Sequence, residues 1–353
     1  MSQWKQWVRR VEPYVPGEQP AGTDLIKLNT NENPYPPAPG VQRALKEMDG
    51  AAFRKYPDPA AFGLVKVLAE RYGVDEDRIF VGVGSDDVLG MAFLTFFNSD
   101  KPILFPDISY SFYPVWADLF QIPYRTPRLD QDFRIVKEDY LTENGGIIFP
   151  NPNAPTGLLM PLKEIEEIVS RNQDSVVIVD EAYIDFGGES AVRLTDQYDN
   201  LLVVQTFSKS RSMAGMRIGY AIGQPELIKA LSDVKYSYNS YTLNLPSQIL
   251  GVEAVKDEEY FRKTTGQIIA VREAAKKRLA ELGFSFPDSM ANFIFASHER
   301  IPAKEIFEVL KRERIYVRYF NQPRIDGYLR ITVGTEQEME ALFRFLETYL
   351  KNH

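Results

Sequence analysis

The sequence predicts an α/β fold, in which a large three-layer domain with a mostly parallel sheet is followed by a smaller α+β domain. Short apolar runs bounded by turn residues recur as far as residue 245, with helical apolar spacing between them. This alternation is typical of a parallel sheet covered by helices. Beyond Pro246 the pattern changes to a long helical stretch and a few short strands. We therefore predict an arm (residues 1–40), a large domain (41–245) and a connector helix with a small C-terminal domain (246–353).

Residues 11–40 are rich in proline, asparagine and glycine and lack a clear period, which predicts an extended arm. Buried strands of the large domain are predicted at residues 78–81, 103–105, 147–149, 176–179, 201–204 and 218–222. Helices are predicted at 86–97, 162–169 and 227–234, then from 246 to about 282, at 306–310 and at 339–350. Strands of the small domain are predicted at 293–295, 315–319 and 328–333.

The composition excludes several classes of function. The formal net charge of the 353 residues is −8, which argues against a broad nucleic-acid surface, and no apolar stretch is long enough to span a bilayer. Cysteine is absent and the histidines are His298 and His353, so disulfides, thiolate or histidine-rich metal sites and Ser-His-Asp catalysis lack their residues. With no signal-peptide core at the start, we expect a cytoplasmic protein without a metal. Any chemistry is expected to use lysine, aspartate, tyrosine and arginine.

Four side chains of complementary chemistry follow predicted strands. Lys209 and Arg217 come after the strand at 201–204, while Asp180 ends the run at 176–179 and Tyr183 lies three residues further on. The end of a strand is the usual place for a site in an open α/β sheet. An amine, a carboxylate, a phenol and a guanidinium are the groups that hold pyridoxal phosphate, through its aldehyde, ring nitrogen, ring hydroxyl and phosphate. Taken singly, three of them have plainer interpretations: Lys209 as a surface lysine, Asp180 as a helix cap or metal ligand, and Tyr183 as a core tyrosine.

A second group of residues is suited to binding a phosphate. The segment from Gly82 to Asp86 joins a predicted strand to a predicted helix, and free N–H groups at a helix start attract anions, although Gly-Ser before a helix is often only a cap. Ser208 and Arg217 can bracket the same phosphate, and the carboxylates of Asp86 and Asp87 are expected to point away from it. Tyr110 is a candidate for stacking on the cofactor ring or for ordinary packing.

Together these segments resemble the fold-type I pyridoxal-phosphate aminotransferases over about residues 14–332. The resemblance rests on the order Gly-Ser-Asp (84–86), Asn-Pro-x-x-Pro-Thr-Gly (151–157), Asp-x-x-Tyr (180–183), Ser-Lys (208–209) and Arg-x-Gly-Tyr (217–220). Within that superfamily, the histidinol-phosphate aminotransferases are similar at residues 12–17, 28–35, 56–58, 292–293 and 329–332.

The resemblance implies a role for each matching residue. Lys209 would react with the cofactor aldehyde, Asp180 would pair with the ring nitrogen and Tyr183 would bond the ring oxygen. The phosphate ligands would be the backbone of Ser85 and Asp86 with Ser208 and Arg217, Tyr110 would stack on the ring, and Tyr56 would reach the phosphate in a neighbouring subunit. A homodimer with shared sites is therefore implied. The substrate ligands would be Arg330 for the carboxylate of glutamate, and Tyr14, Arg318 and Arg330 for the phosphate of histidinol phosphate.

Two positions depart from the family pattern. Many members have an asparagine directly before Pro-Thr-Gly that contacts the ring oxygen, whereas this chain has Ala154, so either Asn153 reaches in or Tyr183 bonds that oxygen alone. The second is the tyrosine-rich segment at 236–241, where Asn239 aligns with a substrate-contacting asparagine and the extra tyrosines favour an aromatic side chain. The second departure concerns the substrate rather than the cofactor.

The resemblance implies transamination between L-histidinol phosphate and 2-oxoglutarate, giving imidazole-acetol phosphate and L-glutamate, in histidine biosynthesis. Three alternatives stay open at this point: an aromatic amino-acid aminotransferase, a phosphoamino-acid decarboxylase on the same scaffold, and a non-catalytic sensor that binds pyridoxal phosphate. The expected partners are small molecules and a second copy of the chain, with no nucleic acid and no membrane.

Overall fold

The computed structural model describes residues 2–22 and 24–352. Met1, Thr23 and His353 lie outside the described residues; Met1 and His353 are the outer ends of the predicted arm and small domain. The strands are β1 (Ile26–Lys27), β2 (Ile79–Gly82), β3 (Ile103–Leu104), β4 (Tyr124–Arg125), β5 (Ile147–Pro150), β6 (Val177–Asp180), β7 (Leu201–Thr206), β8 (Gly219–Ile222), β9 (Phe284–Ser285), β10 (Phe293–His298), β11 (Ile315–Tyr316), β12 (Arg318–Tyr319) and β13 (Leu329–Thr332). The helices are α1 (Pro39–Glu47), α2 (Phe62–Tyr72), α3 (Gly84–Phe96), α4 (Phe112–Phe120), α5 (Leu162–Arg171), α6 (Pro225–Tyr238), α7 (Leu245–Lys256), α8 (Glu258–Glu281), α9 (Ala303–Arg312) and α10 (Glu336–Lys351).

The large domain is built on a seven-stranded sheet in the order β2-β8-β7-β6-β5-β3-β4. Strand β8 runs antiparallel to both neighbours, and the other pairs are parallel. All six predicted strands of this domain are present, which confirms the mostly parallel sheet. The sequence did not predict β4, because its two residues are exposed and carry no apolar pattern.

Helices cover both faces of this sheet. Alternate residues of each strand point to opposite faces, so Val177 and Val179 join one apolar core while Ile178 joins the other. The first core is covered by α2, α5 and α7, and the second by α3, α4 and α6. The prediction of three layers is therefore confirmed.

The small domain contains an antiparallel sheet in the order β12-β13-β10-β9. The single strand predicted at 315–319 is divided, because β11 pairs in parallel with β1 of the arm while β12 pairs with β13. The predicted connector helix is likewise two helices, which meet at Asp257, whose side chain accepts a hydrogen bond from Tyr260 N and caps α8. Helix α7, which begins next to the predicted domain boundary, packs in the core of the large domain. The boundary at residue 246 stays a prediction.

The arm runs between the two domains and is only partly extended. It contributes β1 to the small domain, and α1 begins at Pro39, one residue before the predicted end of the arm. Across residues 2–22 and 24–352, no helix is both long and apolar enough to cross a bilayer.

Candidate active site

A cleft opens at the carboxyl ends of β6 and β7, beside the first turn of α3. Asp180 ends β6 and Thr206 ends β7, and both belong to the lining of the cleft. The cleft is also lined by most of the predicted cofactor ligands, namely Ser85, Asp86, Tyr110, Asp180, Tyr183, Ser208, Lys209 and Arg217. Side chains spread over more than 130 positions of the sequence therefore meet at one edge of the sheet, as the strand-end argument predicts.

Lys209 presents its amine to the cleft from the arm side. Its Nζ donates to the carbonyl of Thr30 at 3.1 Å and lies 5.8 Å from the ring centre of Tyr183. The backbone carbonyl of Lys209 accepts a hydrogen bond from Asn33 Nδ2 at 2.9 Å, which ties the lysine segment to the arm. Among the described residues, no carboxylate lies within ion-pair distance of this amine.

Asp180 is buried on the floor of the cleft, with only 4% of its surface exposed. Its Oδ2 accepts a hydrogen bond from the hydroxyl of Tyr113 at 2.9 Å, and its Oδ1 accepts one from Ala182 N at 3.2 Å. Burial raises the pKa of this carboxyl to about 6, and the hydrogen bonds offset only part of that rise. Tyr113 was not predicted as a site residue, because no local sequence pattern links it to a strand end 67 residues away.

Tyr183 also lines the cleft, with its ring edge-to-face against Phe293. Its hydroxyl accepts a hydrogen bond from Asn31 Nδ2 at 2.9 Å. Asn153, the predicted alternative ligand for the ring oxygen, does not line this cleft, because its amide donates to the carbonyl of Ile108 and to Thr156 Oγ1. Of the two alternatives stated for Ala154, the structure therefore favours Tyr183 acting alone.

Arg217 packs directly against the start of α3. A Cβ on Gly84, where φ is +81°, would lie 2.4 Å from Arg217 Nη2, and a Cβ on Gly219 would lie 2.3 Å from Ser85 N. Only glycine at both positions lets the guanidinium and the first N–H groups of the helix share one end of the cleft. Arg217 Nη1 also reaches Ser208 Oγ at 3.5 Å.

The expectation for Asp86 was wrong in one respect. Its carboxylate faces the cationic end of the cleft, where Oδ2 lies 3.1 Å from Arg217 Nη2 and Oδ1 accepts from the hydroxyl of Tyr110 at 2.7 Å. The sequence argument considered repulsion from a phosphate and left out attraction to the neighbouring guanidinium. The carboxylate of Asp87 does turn away, because it accepts at 2.8 Å from the backbone N–H of Val83, the residue before α3.

A second cavity adjoins the cleft and shares Lys209, Tyr110 and Tyr183 with it. The predicted substrate ligands Tyr14, Arg318 and Arg330 line this cavity. The two arginines are paired across β12 and β13, and their guanidinium carbons lie 5.7 and 5.6 Å from the ring centre of Phe320.

The charge of these arginines is left without an acidic partner in the described part of the chain. Arg330 donates to the carbonyl of Asn29 at 3.0 Å, and its buried Nε has no hydrogen-bond partner there. Burial lowers the pKa of Arg330 and raises the pKa of Tyr14. Two guanidinium groups without a carboxylate make this cavity a site for an anion.

Two predicted ligands lie away from the cleft of their own chain. Tyr56 is 83% exposed, with its ring centre 4.7 Å from that of Tyr241, and Asn239 is exposed at the end of α6. Thr30, Asn31 and Asn33 were not assigned site roles from the sequence, although the arm motif that contains them was singled out.

The fold and the cleft define a class of protein. A lysine amine, a buried carboxylate and a phenol at strand ends, with an arginine at a helix start, are the arrangement of the pyridoxal-phosphate transferases of fold type I. A family model described as "Aminotransferase class I and II" matches residues 23–346, and the chain belongs to this family.

Similar proteins were found by sequence and by structure. Histidinol-phosphate aminotransferase 1 of Hydrogenovibrio crunogenus is 54% identical over 352 residues, covering 99% of both chains. Histidinol-phosphate aminotransferase of Lactococcus lactis subsp. cremoris is 50% identical over 349 residues, covering 99% of this chain and 98% of the relative. The crystal structure of histidinol-phosphate aminotransferase from Sinorhizobium meliloti in complex with pyridoxal-5'-phosphate has a TM-score of 0.85 at 21% identity, covering 93% of this chain and 91% of that one. At that identity, the structural match supports the fold alone.

Pyridoxal phosphate is the cofactor of this enzyme family, and the cleft has the groups to hold it. A lysine amine without a carboxylate partner suits an aldehyde, and a buried carboxylate suits a protonated ring nitrogen. The helix start with Arg217 suits a phosphate. The residues present therefore fit the cofactor, and the chain is an aminotransferase that takes an amino donor and an oxo acid.

Proposed function

We propose that this protein transfers the amino group of L-histidinol phosphate to 2-oxoglutarate, giving imidazole-acetol phosphate and L-glutamate, as a step of histidine biosynthesis. The observation that carries the proposal is the pair Arg318 and Arg330, which share the cavity beside Lys209 and have no acidic partner in the described ranges. Two proteins named histidinol-phosphate aminotransferase are 54% and 50% identical to this chain over 99% of its length, which supports the same substrate.

The residues of the cleft divide the chemistry between them. When bound, pyridoxal phosphate supplies an electron sink for the negative charge that develops at the substrate α-carbon. Asp180 would hold a positive charge at the ring nitrogen, and Tyr183 would donate to the ring oxygen. Lys209 Nζ would take the proton from the substrate α-carbon, a general-base role for which an uncharged amine is suited.

The arginine pair explains how one cavity can accept two different substrates. A guanidinium binds a carboxylate or a phosphate through the same two parallel N–H donors, since both anions offer paired oxygens. Arg330 would bind the carboxylate of glutamate in one half of the cycle. In the other half, the phosphate of histidinol phosphate would be surrounded by Arg318, Arg330 and Tyr14.

We also propose that the enzyme is a homodimer with shared sites in the cytoplasm. Tyr56 is supported as a ligand to the partner's cofactor phosphate because its ring is exposed and turned away from the cleft of its own chain. The ring of Tyr56 packs against that of Tyr241, which is also exposed, and a second copy would cover this aromatic pair. The cytoplasmic location is supported by the absence of cysteine.

A single half-reaction tests the proposed function. The cofactor-loaded protein is mixed with L-histidinol phosphate, with L-phenylalanine or with a phosphoamino acid, and the visible absorbance of the bound cofactor is followed. Rapid conversion by histidinol phosphate alone is expected. Conversion mainly by phenylalanine would indicate an aromatic aminotransferase. Release of carbon dioxide from the phosphoamino acid would indicate a decarboxylase, and no conversion by any of the three would indicate a sensor.

Replacing Arg318 with glutamine should separate the phosphate substrate from the aromatic one. The Michaelis constant for histidinol phosphate should rise about 10- to 100-fold, the cost of losing one hydrogen bond to a charged group. Any slow conversion of phenylalanine should keep a Michaelis constant near its wild-type value, because that substrate has no phosphate. Arg314→Gln is the matched control, since this exposed arginine is paired with Asp24 at 3.2 Å outside the cavity. Equal losses for both substrates would contradict a phosphate role for Arg318.

A further inference from the structure

A chain of hydrogen bonds from the arm ends at the hydroxyl of Tyr183. The backbone N–H of Asn31 donates to Thr332 Oγ1 at 3.0 Å, and Thr332 Oγ1 lies 3.1 Å from Asn31 Oδ1. Asn31 Nδ2 in turn lies 2.9 Å from the hydroxyl of Tyr183. Asn31 and Thr332 are 1% and 2% exposed, so each of these polar groups depends on the others rather than on solvent.

The number of protons available gives this series of hydrogen bonds a single direction. A hydroxyl has a single proton, and the Thr332 hydroxyl already accepts from the backbone N–H of Asn31. Its proton therefore goes to Asn31 Oδ1, which leaves the Asn31 amide nitrogen facing Tyr183. The opposite orientation of the amide would leave the buried Thr332 proton without an acceptor, a loss that the structure avoids.

The backbone of Asn31 holds its side chain in this position. Its φ is +56°, in the left-handed region that asparagine tolerates better than most residues. Its carbonyl accepts a hydrogen bond at 3.0 Å from Nδ2 of Asn292, which is fully buried. Two residues of the small domain, Thr332 and Asn292, thus hold Asn31 with its amide facing Tyr183.

We infer that Asn31 and Thr332 fix Tyr183 as a hydrogen-bond donor into the cleft, and that this relay performs the task of the asparagine that Ala154 replaces. Because the Tyr183 hydroxyl accepts from Asn31, its own proton is free for the ring oxygen of the cofactor. A donated hydrogen bond favours the charged form of its acceptor, so the relay would favour the ionised ring oxygen. This inference rests on the proposed cofactor chemistry and assigns Asn31 and Thr332 as positioning residues.

Asn31→Asp tests the inference, because it reverses the direction of the last bond. A carboxylate at position 31 accepts from both Thr332 and Tyr183, so the phenol proton turns away from the cleft, and aspartate also tolerates a positive φ. The midpoint of the pH titration of the bound cofactor's visible absorbance should move upward by roughly one unit. This spectroscopic midpoint is measured without turnover.

Two further variants separate the relay from the added charge. In a Tyr183→Phe background, Asn31→Asp should produce a much smaller shift, since only its charge remains to act. Thr332→Val adds no charge but frees the Asn31 amide to turn, so it should shift the midpoint in the same direction, and it decides the matter if Asn31→Asp does not fold.

The outcomes distinguish this inference from the proposed function. A wild-type protein that shows no absorbance from bound pyridoxal phosphate would overturn both. The relay alone would be overturned by a different combination of results. In that case the wild type binds the cofactor and reacts with histidinol phosphate, but Asn31→Asp shifts the midpoint equally with and without Tyr183. An unchanged midpoint in Thr332→Val would also overturn it.

Discussion

Replacing Lys209 with alanine should lower turnover by about 10²- to 10⁴-fold or more, since that range is the typical contribution of one general acid–base group. The substitution removes the amine that stands at the junction of the two cavities, 3.1 Å from the carbonyl of Thr30. Formation of glutamate from histidinol phosphate and 2-oxoglutarate is the measurement.

Lys229→Ala provides the control for this experiment. Lys229 is an exposed lysine on α6, paired with Asp233 four residues further along the helix, and its removal should leave turnover unchanged. Borohydride treatment of the holoenzyme should attach the cofactor permanently to Lys209, detectable by mass spectrometry, and should attach none in Lys209→Ala. A Lys209→Ala protein that keeps more than a small fraction of its turnover would refute the role of this lysine.

Replacing Asp180 with asparagine should reduce turnover by a comparable factor and remove a pH dependence of cofactor binding. Burial raises the pKa of Asp180 to about 6, so below pH 6 the carboxyl is protonated and must lose its proton before it can pair with a cationic ring nitrogen. Wild-type affinity for pyridoxal phosphate should therefore weaken by up to about tenfold per pH unit below 6 and level off above it. Asp180→Asn should bind weakly at every pH, without that break.

Tyr113→Phe is an independent check on the same carboxyl. The hydrogen bond from Tyr113 lowers the pKa of Asp180, so removing the hydroxyl should move the break in cofactor affinity to higher pH. Equilibrium dialysis against pyridoxal phosphate between pH 5 and pH 8 measures both variants. A wild-type affinity that does not change over this range would contradict the titration of Asp180.

The sheet of the large domain could be predicted from the sequence because its strands are buried on both faces. Such strands are continuous apolar runs, as at residues 147–149 and 176–179, and they stand out from the helical spacing between them. The two-residue strand β4 and the division of 315–319 into β11 and β12 could not be predicted, because each depends on which distant strand lies alongside.

Site residues could be predicted where a reactive side chain directly follows a buried strand. Residues that reach the site through a contact with a distant part of the chain could not be predicted. Lys209, Asp180 and Arg217 are marked by their positions after buried runs. Asn31 acts on a side chain 152 residues away, and no local pattern indicates that contact. The prediction of the Asp86 orientation was wrong for a related reason, since that orientation depends on a guanidinium 131 residues further along the chain.

The closure of the arm onto the far end of the chain has a consequence for synthesis on the ribosome. Asn31 bonds Thr332, and Asn29 accepts from Arg330, each across 301 residues. The segment that shapes the lysine side of the cleft is thus translated 301 residues before its partners. Contacts of such separation form late, because the loop entropy must be overcome first. We therefore expect a nascent chain to remain unable to bind its cofactor until residues 330–332 have been translated, even if its central sheet has already folded.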